Sequence, residues 1–64
     1  MKYLEIEIDE TLAETDKAIL CVIAGEEIWI PWSVFEERSG DIQGKGDSGT
    51  AYIAQWFAEE EGLC

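Results

Sequence analysis

Histidine is absent, proline occurs once and cysteine twice, and four lysines and arginines stand against fifteen aspartates and glutamates. Each scarcity removes a class of chemistry. Gly46-Asp47-Ser48-Gly49 copies the letters around a trypsin-like nucleophilic serine, yet without histidine it has no general base of that kind. Two thiols with no imidazole cannot complete a zinc site within one chain. Gly44-Lys45-Gly46 looks like half a phosphate-binding loop, but the Lys-Ser/Thr after the final glycine is missing. Asp41 and Asp47 lack the spacing and terminal glutamate of a calcium loop. No run reaches the roughly 18 apolar residues of a membrane span. Met1-Lys2-Tyr3-Leu4-Glu5 is too acidic for a signal peptide, so the expected location is the cytosol. These exclusions predict a protein that is not an enzyme and uses no metal or cofactor.

Shortage of positive charge is the largest global feature. The formal charge is −11 at pH 7 over 64 residues. Such a surface repels nucleic acid and anionic membrane and is drawn to basic protein surfaces. Apolar residues make up 47% of the chain, enough to fold despite the charge. A chain this short holds one domain, residues 1–64, and buries a modest fraction of its surface. Homodimerisation is one route to the missing stability.

Ala18 to Trp32, AILCVIAGEEIWIPW, organises the chain. The run Ala18–Ala24 is short for a helix and rich in Ile and Val, which favours a strand buried on both faces. Gly25-Glu26 supplies a turn. Ile28 and Ile30 then alternate with Glu27 and Trp29 as a half-buried partner strand, which Pro31 requires to end there or to lie at a sheet edge. Cys21, inside the apolar run, reads as a small buried hydrophobe, and a disulfide to the terminal Cys64 is not expected in a reducing cytosol.

The flanking segments are read from the same periodicities. In Tyr3–Asp9, Leu4, Ile6 and Ile8 face one way while Glu5, Glu7 and Asp9 face the other, about 6.7 Å apart in successive pairs. Glu10–Asp16 is polar and reads as a loop, or as one helical turn on the capping-box letters Thr11 to Glu14. Ser33 to Glu36 carries the same letters, and a short helix and a strand beyond a proline bend both fit there. Ser39–Gly49 is a glycine-rich loop, a surface excursion or a wide hairpin. Thr50–Cys64 ends as a helix, with Ile53, Trp56 and Phe57 on one face and Gly62 placed as its C-terminal stop; Thr50–Ile53 as a short strand is the alternative. Trp29, Trp56 and Phe57 are expected in the core. Glu59, Glu60 and Glu61 occupy the last turn, where carboxylates oppose the helix dipole by about 0.3–1 kcal/mol each. The fold expected is α+β: a curved antiparallel sheet of three to four strands with one C-terminal helix packed on it.

The letters Lys17-Ala18-Ile19-Leu20, Glu26-Glu27-Ile28-Trp29-Ile30-Pro31-x-Ser33, Gly46-Asp47-Ser48-Gly49 and Trp56-x-Ala58-Glu59-x-x-Gly62-Leu63 span nearly the whole chain. In this arrangement the sequence resembles small uncharacterised proteins encoded by bacterial phages and prophages. Within that pattern a lysine often follows the Ile-Pro and a proline often precedes the C-terminal helix; here Trp32 and Ala54 stand there. The first departure removes a cation and offers an aromatic. Size and charge also look like the DNA-mimic class of anti-CRISPR and anti-restriction inhibitors. The resemblance implies a host-cytosol protein that binds no nucleic acid itself. It would occupy the basic surface of a nucleic-acid-binding defence complex, in competition with DNA. The residues expected to carry that contact are Glu5, Glu7, Asp9, Glu26, Glu27, Trp32, Glu59, Glu60 and Glu61. Docking on a phage replication or recombination protein through Trp32 and its apolar neighbours, and a non-catalytic structural domain, are the alternative expectations.

Overall fold

A computed structural model describes residues 2–63. The alternation in YLEIEI forms strand β1 (Tyr3–Ile8), which pairs antiparallel along its whole length with β5 (Gly49–Ala54). The apolar run forms β3 (Ala18–Ile23), flanked by β2 (Glu10–Glu14) on one side and β4 (Glu26–Pro31) on the other. The architecture is α+β: five strands in antiparallel sheets of two and three, followed by one C-terminal helix, α1 (Gln55–Glu60). Ile6, Ile8, Ala51 and Ile53 from one sheet and Ile19, Cys21, Ile23, Ile28 and Ile30 from the other share one core, closed by Val34, Ile42 and Phe57.

The central hairpin forms as the pattern demands, but its turn lies one residue earlier than expected. Ala24 and Gly25 occupy the loop with φ of 51° and 84°, and Glu26 already pairs with Ile23. A two-residue loop with both φ values positive matches the right-handed twist of its strands, and that outweighs the strain at an alanine. The Ala24 amide also donates to Asp9 Oδ2 at 3.1 Å, tying the end of β1 to the turn. Burial on both faces of β3 is not what forms: Ile19, Cys21 and Ile23 are buried, whereas Ala18, Leu20 and Val22 are half-buried. Only one face of this three-stranded sheet meets the core, and among the described residues no strand or helix covers the other.

Glu10–Glu14 is a strand, not a loop or a helical turn. Its poverty in apolar residues misleads, because the strand sends only Thr11 fully inward. Thr11 is 2% exposed, and its hydroxyl lies 3.0 Å from the Gly44 carbonyl and 2.9 Å from that of Asp47. Its one proton serves one acceptor at a time. A shift of register between Thr11 and Ala13 marks a bulge at Leu12.

Beyond β4, Trp32–Val34 makes a single 3₁₀ turn with no side-chain cap, and Phe35 then forms a lone bridge to Ile53. Both readings of that stretch hold in part. Ser39 continues along the outer edge of β5: its hydroxyl donates to the Tyr52 carbonyl at 3.2 Å and accepts from the Tyr52 amide at 2.6 Å. The glycine-rich loop is not a free excursion. Asp47 Oδ2 accepts from the amides of Gln43 and Gly44 at 2.7 and 3.0 Å, Glu14 Oε1 accepts from Lys45 at 3.0 Å, and Ile42 is buried. Asp41 Oδ2 accepts from the Thr50 amide at 3.1 Å, an approach that needs glycine next door, since a Cβ on Gly49 would sit 2.7 Å from that oxygen.

Thr50–Ile53 belongs to a strand, so the helix is shorter than its apolar spacing suggests. Gly62, at φ 73°, closes it: the Gly62 amide donates to Glu59 and the Leu63 amide to Ala58, at 3.3 and 2.8 Å, and Leu63 packs on the core. Phe57 is buried as expected, but Trp56 and Trp29 are each 49% exposed, against the expectation that both lie in the core. The reason differs. Trp29 shares the outward parity of Glu27, and Trp56 is turned off a core already filled by Phe57 and Ala58. Cys64 and its pairing lie outside the described residues.

Candidate protein-interaction surface

Strand parity alone decides which carboxylates share the outer surface. Directly opposed residues in an antiparallel pair project to the same side. Glu5 therefore stands beside Tyr52 and Glu7 beside Thr50, outside the sheet whose inner side carries Ile6, Ile8, Ala51 and Ile53. At the passage into β2 the parity changes. Ile8 and Thr11 point inward, and the two residues between them, Asp9 and Glu10, are both exposed. The outward line along the β1–β2 ribbon thus runs Glu5, Glu7, Asp9, Glu10, and the cation beside it is Arg38, which lies over Tyr52, the cross-strand neighbour of Glu5. The line then crosses the three-stranded sheet, because Glu10 opposes Val22 and Val22 opposes Glu27. At the usual strand spacing Glu10 and Glu27 lie about 10 Å apart. Glu26, opposite the buried Ile23, has the inward parity; it is exposed beside the turn that Asp9 holds, but off this outward row.

Not all the expected contact residues join it. Gln55, the first helical residue, donates its amide to the Lys2 carbonyl at 2.9 Å, which sets the helix at the end of β1 away from Asp9. Glu59, Glu60 and Glu61 are exposed there as a separate cluster, with Glu59 accepting from Gln55 Nε2 at 3.0 Å. Trp32 follows β4 at the end opposite Glu26 and is half-buried. Its Nε1–H donates to the Thr15 carbonyl at 3.0 Å and its ring lies 5.2 Å from that of Phe35. The exposed indoles are those of Trp29 and Trp56. Trp29 was legible as a surface residue from its alternation with Ile28 and Ile30. Glu10 was not assignable to the band, because the parity change at Asp9 is a tertiary event.

Little within the chain neutralises this surface. Among the described residues Arg38 and Glu36 form the single ion pair, and the guanidinium also lies over the Tyr52 ring, 4.4 Å from its centre. Two carboxylates at the Glu5–Glu7 spacing repel by about 0.6 kcal/mol even at the dielectric constant of water. Asp9, Glu14, Asp41 and Asp47 instead spend acceptor capacity on backbone amides, so part of the acidic content is structural. Burial pushes the Cys21 thiol up from 9.0 to about 11, so at neutral pH it is protonated and unreactive. No cavity opens among the described residues, no group of three or more potential ligands is placed to hold a metal, and no helix is long and apolar enough to cross a membrane. Comparison with family models, curated proteins and solved structures finds no match to this chain.

Proposed function

We propose that the chain is a phage-encoded acidic inhibitor that occupies the basic, DNA-binding surface of a host defence complex as a DNA mimic, by binding and without catalysis. The observation that carries this reading is the set of outward carboxylates along the β1–β2 ribbon, Glu5, Glu7, Asp9 and Glu10, with Glu27 outward on the second sheet, none of them in an ion pair among the described residues. A duplex presents a phosphate about every 3.4 Å along each strand, so carboxylates about 6.7 Å apart meet every second one. Partner lysines and arginines then exchange phosphate for carboxylate, with no change in the kind of contact they make.

The test is capture from bacterial lysate on the immobilised protein at low and high salt. A captured nucleic-acid-binding complex should be released by salt and by duplex DNA. The charge reversal Glu5→Lys with Glu7→Lys should abolish capture while leaving the thermal midpoint no lower than that of the parent, since both side chains face water and the net charge falls in magnitude. Retention of a DNA-displaceable complex by the reversed protein would sink the proposal. A second reading, docking on a phage replication or recombination protein, is favoured by the exposed apolar face around Trp29. Capture that survives high salt and ignores duplex DNA would select it.

A further inference from the structure

The acidic band does not end on open polar surface. In the register of the three-stranded sheet the row Glu10, Val22, Glu27 is followed by the row Ala13, Leu20, Trp29, all on the side away from the core. Leu20, Val22 and Ala13 are half-buried with no layer above them among the described residues, and the Trp29 indole beside them is 49% exposed. Strand β4 pairs only with β3, so one side of Trp29 is open to an approaching chain. Glu27 lies two residues before Trp29 on the same side, about 6.7 Å away along the strand. An apolar platform bordered by carboxylates is therefore built into one face.

Charge decides what fits there. A second copy of a chain carrying −11 would bring like-charged borders, Glu10 and Glu27, toward each other. A partner whose border is positive is attracted to the same geometry. Between the two common cations the site distinguishes. A guanidinium is planar and weakly hydrated, stacks on an indole and offers a fork of N–H groups to a carboxylate, while an ammonium pairs as a strongly hydrated point charge. Lys17, at the Pro31 end of the face, lies beyond the far end of the row from Glu27 and leaves the Trp29–Glu27 pair uncovered.

We infer that the outer face of β2–β3–β4 reads arginine: the Trp29 ring takes a guanidinium of the basic partner, and Glu27 receives its N–H groups. This rests on the proposal of a basic partner and names the point at which that partner is recognised by more than charge.

The probes are octa-arginine and octa-lysine peptides, titrated calorimetrically into the whole protein at fixed salt. Octa-arginine should bind about fivefold tighter than octa-lysine, the ratio expected of one cation–π contact. Trp29→Ala should bring that ratio close to one, Trp29→Phe should keep part of it, and Trp56→Ala, at an equally exposed indole on the helix, should leave it unchanged. If Trp29→Ala does not fold, Glu27→Gln carries the same test, since it removes the acceptor of the fork. Glu5→Lys with Glu7→Lys should weaken both peptides together and leave the ratio intact. An arginine preference that survives Trp29→Ala, or is lost equally in Trp56→Ala, overturns the inference while the acidic-mimic reading stands. Failure of the parent protein to bind either peptide overturns both.

Discussion

Ala24 is the described non-glycine residue held at positive φ, at 51°, and it provides a sharp test of how the hairpin is built. Its Cβ crowds the adjoining backbone in that conformation, a cost of about 1–2 kcal/mol relative to an ordinary right-handed or extended residue. Asparagine tolerates the left-handed region, and Asn-Gly is the favoured pair for a two-residue loop of this kind. Ala24→Asn should recover about 1 kcal/mol without disturbing the amide that donates to Asp9. Ala24→Gly relieves the same crowding but adds freedom to the unfolded chain worth about 0.4–1 kcal/mol, so its gain should be smaller. For a domain of this size 1 kcal/mol corresponds to a midpoint shift of about 4–8 °C. Circular dichroism melts of parent, Ala24→Asn, Ala24→Gly and Ala24→Val at one salt concentration would rank them, with the β-branched valine lowest. Should Ala24→Asn melt at or below the parent temperature, the turn is not strained in the way described and the argument fails.

Other outcomes follow from the charge, the buried hydroxyl and the buried thiol. With −11 on a small surface, raising salt from very low to physiological should raise the melting temperature, and a flat or falling midpoint would count against carboxylate crowding. Thr11→Val keeps the shape of a buried residue but deprives the Gly44 and Asp47 carbonyls of their donor; urea unfolding should show a loss of about 1–3 kcal/mol, and a neutral result would mean water replaces the hydroxyl. Between pH 9 and about 11 folded Cys21 keeps its proton while the unfolded thiol releases it, so the native state binds more protons and stability falls as pH rises through that window. Urea midpoints of the parent should therefore decline more steeply above pH 9 than those of Cys21→Ala, and parallel declines would contradict burial of the thiol.

Sequence by itself determined the elements whose periodicity is strong and local. The alternation in Tyr3–Ile8, the apolar run followed by Ile28 and Ile30, and Gly62 as a helix stop all carry their reason within a few residues, because parity and left-handed backbone are local properties. It also determined that the carboxylates far outnumber the cations, and that Glu5, Glu7 and Glu27 face water. The fold decided what depends on partners distant in the chain. Glu10–Glu14 is a strand because the free edge of β3 needs pairing and the loop carbonyls of Gly44 and Asp47 need the Thr11 hydroxyl, neither of which is visible in five polar letters. Trp32 is drawn inward by the Thr15 carbonyl and Phe35, and Trp56 is turned out because Phe57 already fills the space beneath the helix. The join between the acidic ladder and the Trp29 face has the same origin. It exists because Asp9 and Glu10 both turn outward where one ribbon leaves the first sheet and enters the second, a change of parity that only the packing of two sheets around one core imposes.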